Sequence, residues 1–267
     1  MDTPLISVIL STYNGAFYLN DTIFSVLSQE YRDLELIIVD DASTDTRVAQ
    51  IIQEFSKRDL RVRSYRNEAN KERSWSKNFW VQKAIWDYIA FIDDDDIWNP
   101  AKLSRQIISL QKDNSLGIIG TYARFMDESG EILWETNHLK TNPKDIFENI
   151  LFTNQFIHSS VLLKKWAFLL AWGFPIDMNL CEDYDLWLRI LSSNSGANIS
   201  ESLVDYRVRS TSTTAHNIYR MKYHSILLTW KYRKLFPGFL KAMMMRVISF
   251  PFNTVFLMKI WRKLFMK

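Results

Sequence analysis

The chain has 267 residues, 47% of them hydrophobic and 14% aromatic, enough to bury a full core and to exclude a disordered polypeptide. Its single cysteine, Cys181, excludes an intramolecular disulfide and a cysteine-rich zinc site, and fits a reducing compartment. The formal charge of +3 hides an asymmetry: all 30 Asp and Glu precede residue 206, while 13 of the 33 Lys and Arg follow it.

In chain order, Leu5–Leu10 is a short apolar run suited to a buried strand, and Ala16–Gln29 carries Leu19, Ile23, Val26 and Leu27 at helical spacing. The same strand-then-helix unit recurs in Leu34–Val39 with Thr46–Lys57, in Arg61–Tyr65 with Ser74–Trp86, and in Tyr88–Ile92 with Ala101–Gln111. Repeated units of this kind predict an α/β domain with a mostly parallel, helix-covered sheet. Beyond residue 115 the pattern is less regular, with strands at Leu116–Phe125 and Glu131–Trp134 around the turn Asp127–Gly130, and helices at Lys144–Leu151 and Asp183–Leu191. No internal repeat or low-complexity linker interrupts the chain, so one α/β domain over residues 1–218 is expected. Residues 219–267 read as a helical extension broken at Phe236-Pro237-Gly238 and Pro251.

Four consecutive aspartates, Asp93 to Asp96, follow the apolar run Tyr88-Ile-Ala-Phe-Ile92. Like charges repel, so such a cluster at the mouth of a buried strand favours a bound divalent cation, although a solvated acidic turn is the plainer alternative. Two further polar loops, Ser11-Thr-Tyr-Asn-Gly15 and Val39-Asp40-Asp41-Ala-Ser-Thr-Asp45, follow earlier strands. Parallel strands put their carboxyl ends on one edge, where ligands gather in open α/β sheets. Tyr13 offers an aromatic face and Asp41 a hydrogen-bond acceptor, while Asp45 reads as a helix cap and Asp40 as a loop brace. The acids of Cys181-Glu182-Asp183-Tyr184-Asp185-Leu-Trp-Leu-Arg189 open an apolar helix, as caps or as chemistry.

Taken in order over residues 4–210, these four motifs resemble the family 2 glycosyltransferases of GT-A fold. The resemblance implies that Ser11, Tyr13 and Asp41 hold the nucleotide base, with Arg73 near the nucleotide. It implies Asp93 or Asp94 toward the ribose, Asp95 with Asp93 on Mn²⁺ or Mg²⁺, the register within the four acids staying open, and Asp183 as catalytic base beside Glu182. His158, in Gln155-Phe-Ile-His158, and Trp187 fall on the acceptor side, although a lone histidine between apolar residues is more often structural, and Arg207, Arg209 and His216 lie in a segment able to close over the diphosphate. The implied activity is inverting transfer from a nucleotide diphosphate sugar, UDP by default, to a hydroxyl of a glycan or lipid-linked acceptor in bacterial surface polysaccharide or lipo-oligosaccharide synthesis.

Two rivals fit less well. A haloacid-dehalogenase phosphatase expects Thr or Val soon after its paired aspartates, where this chain has Ile97-Trp98; a catalytically silent nucleotide-sugar scaffold would not need Asp95 and Asp183. The basic tail from Tyr219 interleaves aromatic residues with Lys and Arg, the composition of helices lying in a membrane interface, and has no run long enough to span one. Packing on the domain or homodimerisation are the alternatives, and no nucleic-acid-binding module accompanies the charge. With Met1-Asp-Thr-Pro lacking a secretory n-region, the expected location is the cytoplasm, peripheral on the inner face of the cell membrane.

Overall fold

The computed structural model describes residues 4–71, 73–136, 138–178, 180–210 and 216–250. The first half alternates β1 (Ile6–Thr12), α1 (Ala16–Leu27), β2 (Leu34–Asp40), α2 (Thr46–Arg58), β3 (Val62–Arg66), α3 (Arg73–Lys83) and β4 (Tyr88–Asp93). There follow β5 (Ile97–Trp98), α4 (Lys102–Lys112), β6 (Leu116–Met126), β7 (Ile132–Glu135) and α5 (Pro143–Asn149). A 3₁₀ turn at His158–Ser160 leads to β8 (Leu162–Lys164), α6 (Lys165–Leu170), α7 (Glu182–Leu191), β9 (Ser195–Arg207), α8 (Ile218–Lys231) and α9 (Phe239–Ser249).

These strands form one sheet in the order β3-β2-β1-β4-β8-β6-β9-β5, with β7 on β6. The strands β3, β2, β1 and β4 are mutually parallel, as the repeated units predict. The other half mixes antiparallel pairs with the parallel pair β6–β9. Strand β9 was not legible beforehand because its sequence, SGANISESLVDYR, lacks an apolar run; pairing with both β6 and β5 holds it instead.

Alternation along the strands feeds two cores. Ile6, Val8 and Leu10 of β1 and Ala90 and Ile92 of β4 join Leu19, Ile23 and Val26 of α1 on one face. Ile9, Phe91 and Val39 point to the other face, where α3, α5, α6 and α7 cover the sheet. Leu228, Tyr232, Phe236 and Ala242 of the C-terminal helices complete that second core. The helix expected to reach Gln29 stops at Leu27, because the Gln29 amide donates to the carbonyls of Ser25 and Asn99 and accepts from the Leu103 N–H.

Phe91 is fully buried, 5.1 Å from the Phe174 ring and 6.0 Å from that of Phe168. Replacing it by alanine is expected to cost ~3–5 kcal/mol in urea unfolding; a loss under ~1 kcal/mol would contradict its place in this core.

Candidate active site

Register brings the first three loops level. Ser11 lies opposite Val39 on one side and Asp93 on the other, so β1, β2 and β4 end together. Asn14 takes the left-handed conformation, φ 58°, and laces the first loop to the second. Its Oδ1 accepts from the N–H groups of Thr44 (2.8 Å) and Asp45 (3.0 Å), and its own N–H donates to Ser43 Oγ. Tyr13 projects from this edge, 50% exposed. Asp41 is buried, accepting from Asn67 Nδ2 (2.6 Å), the Lys71 N–H (3.0 Å) and Ser76 Oγ, and so ties the start of α3 to the second loop. Asp40 pairs with Arg66 and accepts from the Ser43 N–H, while Asp45 caps α2, as the plainer readings of both expect. Arg73 opens α3 within this edge; its side chain lies outside the described residues.

The four aspartates differ sharply in surroundings. Asp94 accepts from Thr12 Oγ1 at 2.5 Å and packs so closely on Gly15 that any Cβ there would sit 1.9 Å from its carboxylate. Asp96 is fully buried and accepts from the Arg207 N–H, and its carboxyl is pushed well above the usual carboxylate range by burial, then by Asp95 and Asp93. Asp95 meets the Arg209 guanidinium at 2.6 Å. Asp93 keeps part of its surface and lies 3.5 Å from Lys77 Nζ and 3.9 Å from His158 Nε2.

Lys77 is a site residue that the sequence did not reveal. Only 3% exposed, its Nζ stands 2.6 Å from His158 Nε2. The one available hint was a lysine on the face of α3 that also buries Ser74 and Val81.

The fourth loop reaches the same edge at the start of α7. Cys181, at φ 64°, turns the chain so that Glu182 and Asp183 open the helix. Asp183 accepts from its neighbour's Tyr184 N–H (2.7 Å) and from Asn154 Nδ2 (3.3 Å). Burial, then Glu182, push its carboxyl up to about 7, with Asp93 adding to the rise and the Tyr184 N–H and Lys77 opposing it. The Tyr206 hydroxyl, raised first by burial, also feels Asp96, Asp93, Asp95 and Asp183, which marks the end of β9 as a further wall.

Two expectations need correcting. Trp187 presents no surface to an acceptor: it is fully buried one helical turn below Asp183, its ring 6.3 Å from those of Phe156 and Phe174. Arg207 is a fixed internal brace and not part of a movable cover. It is buried, stacks over Tyr18 at 4.1 Å, and donates to the carbonyls of Asp95 and Asp127. His216 is exposed at the start of the C-terminal helices, and residues 211–215 before it lie outside the described residues.

A helix-covered sheet with acidic and aromatic loops gathered at the carboxyl ends of β1, β2 and β4, and a half-buried carboxyl facing them from α7, is the architecture of the GT-A fold. The chain belongs to glycosyl transferase family 2, whose pattern matches residues 7–169, and is a glycosyltransferase. It is 34% identical over 212 residues to the O-antigen biosynthesis glycosyltransferase WbnJ of Escherichia coli, covering 78% of this chain and 82% of that one. It is 31% identical over 226 residues to the E. coli UDP-Glc:alpha-D-GlcNAc-diphosphoundecaprenol beta-1,3-glucosyltransferase WfgD, covering 83% and 84%. Among solved structures the fold resembles Staphylococcus aureus TarS 1-349 in complex with UDP-GlcNAc, with TM-score 0.71 and 17% identity over 98% of this chain and 76% of that one. It also resembles the mannosyltransferase PcManGT from Pyrobaculum calidifontis in complex with GDP-Man and Mn²⁺, with TM-score 0.66 and 17% identity over 94% and 70%.

If transfer requires Asp183 in its ionised form, kcat/KM is expected to rise with pH up to a plateau above about 7, the value to which its carboxyl is pushed. Lys77 favours the ionised form, so Lys77→Met should move that limb to higher pH; a limb that stays in place or moves down would contradict the arrangement.

Proposed function

We propose that this glycosyltransferase inverts the anomeric centre of a nucleotide diphosphate sugar, with UDP as the leading donor nucleotide, and delivers the sugar to a hydroxyl of a glycan or lipid-linked acceptor. The carrying observation is the Asp183 carboxyl, pushed up to about 7 and close enough to Lys77 and Asp93 to feel both charges. In this reading the acceptor hydroxyl gives its proton to Asp183 as its oxygen attacks the anomeric carbon, and the bond to the nucleoside diphosphate breaks on the opposite side. One carboxylate base suffices for direct displacement, since no covalent sugar is formed on the protein. Lys77 holds Asp183 nearer ionisation and contacts His158, while Tyr13 and Asp41 are assigned to the nucleotide base in this reading.

The donor set fits a hard divalent ion. Asp93 and Asp95 supply carboxylate oxygens, and a cationic guanidinium already faces Asp95. Among the described residues no group of three ligating side chains stands together, so diphosphate oxygens and water would complete the coordination. When bound, Mn²⁺ or Mg²⁺ would neutralise the charge that builds on the departing diphosphate. Asp93 and Asp95 would hold it, and Arg209 would be released from Asp95 as the ion arrives.

The names of WbnJ and WfgD support a place in surface polysaccharide synthesis, and that of WfgD supports a UDP-sugar donor and a lipid-diphosphate acceptor. Among the described residues no helix is long and apolar enough to cross a membrane, so work at the inner face of the cell membrane would rest on peripheral attachment through the basic C-terminal helices.

The test is Asp183→Asn, which keeps the size of the side chain and removes its basicity. Transfer is expected to fall by at least ~100-fold while nucleotide affinity, measured by calorimetry, stays within about twofold. Undiminished transfer would remove Asp183 from the chemistry.

A further inference from the structure

Exposed apolar side chains are spread unevenly over the molecule. On one side, α1 and α4 show Phe17, Phe24 and Ile108. On the side built by α3 and α5 to α9 they form two dense patches.

The first patch is a plate on the C-terminal helices. Tyr219, Tyr223, Leu227 and Trp230 make one outward stripe on α8, and Leu240 (80% exposed), Met244, Val247 and Ile248 (61%) another on α9. The spacing is that of a single helix face in each case. Trp230 meets Phe239 edge to face at 5.7 Å and Lys222 Nζ donates to the Ser249 carbonyl, so the two helices are held side by side. Asp185 of α7 anchors the pair, accepting from Lys231 Nζ (2.8 Å) and the Tyr232 hydroxyl (2.9 Å). The inward faces are therefore already occupied by the domain.

The second patch lies beside the active site. On α6 Trp166, Leu169 and Leu170 face outward, and Trp172 follows at 89% exposure with φ 62°, a conformation that bulky residues rarely adopt. This strained turn is fastened to α3, where the Asn78 side chain bonds both the N–H and the carbonyl of Phe174 at 2.7 Å. The Phe174 ring in turn stands 5.7 Å from Lys77 Nζ and 5.8 Å from the His158 ring. The exposed indole is thus two residues from the wall of the site. Next to it, Trp75 and Phe79 of α3 stack at 5.2 Å and carry Lys71 and Lys83 over their rings.

We infer that this side of the molecule is a docking face for an anionic phospholipid bilayer, with the α8–α9 plate and the α6 turn as its two points of contact. Charge selects the occupant. Exposed Arg220, Lys231, Lys234 and Lys241 flank the plate, and Lys71 and Lys83 flank the second patch. Apolar side chains beside basic ones are what an anionic interface binds. Docked this way, the mouth of the site beside His158 and Phe174 sits at headgroup level, where a lipid-linked sugar would present its hydroxyl. The acceptor's lipid linkage rests on the transferase reading above; the docking itself does not.

The experiment is co-sedimentation of the full chain with phosphatidylcholine vesicles, with and without phosphatidylglycerol, at low and high salt. The wild-type chain is expected to bind the anionic vesicles, less at high salt. Leu240→Glu/Ile248→Glu and, separately, Leu170→Glu/Trp172→Glu should each weaken binding at least ~10-fold with unchanged thermal unfolding, because all four positions are exposed. Absence of wild-type binding, or wild-type binding by the Leu170→Glu/Trp172→Glu chain, would overturn the proposal. So would a vesicle-free dimer abolished by Leu240→Glu/Ile248→Glu, which would assign the plate to a second copy. Nucleotide binding followed on the wild-type samples separates the two readings: a wild-type chain that binds nucleotide but no vesicles defeats this inference alone, and one that binds vesicles but no nucleotide defeats the transferase reading alone.

Discussion

Everything at the working edge depends on how five carboxyl groups share it without driving the loops apart. Two like charges about 4 Å apart repel by about 4 kcal/mol at an effective dielectric constant near 20, so Asp93 to Asp96 with Asp183 would be costly if all were ionised and unpaired. The protein distributes the load. Burial favours the protonated form of Asp96, Asp94 is tied to Thr12, Asp95 meets Arg209, and Asp93 faces Lys77. The cations come from α3 and from the end of β9, so the balance reaches across the sheet. A nucleotide diphosphate and divalent ion, if bound as proposed, would add charge of both signs to this edge, and Arg209, paired but partly exposed, would be the side chain best placed to change partners.

The same logic separates acids that look alike in the sequence. Asp183 and Asp185 stand two residues apart on one helix, yet they meet opposite fates. Asp183 has Glu182 beside it and rises to about 7. Asp185 is also raised by burial, but Lys231, Arg189 and Tyr232 more than reverse this, and its carboxyl falls below the usual range. One is poised to take a proton near neutrality; the other stays ionised and fastens α8 to the catalytic helix. The C-terminal pair is thereby coupled to the working edge through a single turn of α7.

Much of the first half of the fold was legible because buried parallel strands are short apolar runs and their helices carry apolar residues at helical spacing. The loops at the ends of β1, β2 and β4 were legible for the same reason, once the strands were placed. Strand β9 was not, since polar residues separate its apolar Ala197 and Ile199 from Leu203 and Val204 and break up the hydrophobic signature. Lys77 escaped notice because its importance comes from burial against His158, which lies 81 residues away. Trp187 was misplaced for a geometric reason: four residues after Asp183 it shares the same helix face, but one turn deeper, so it forms the floor beneath the site. Arg207 belongs to no closing segment because β9 extends through it and buries its guanidinium between Tyr18 and the loop carbonyls.

The most direct test of the account is thermal unfolding of the wild-type chain with UDP, dTDP and GDP, each with and without Mn²⁺, since a ligand that binds only the folded state must raise Tm. The account predicts a rise for one nucleotide, UDP first among them, that largely depends on the metal. No rise with any nucleotide, with or without Mn²⁺, would contradict a donor site at the ends of β1, β2 and β4.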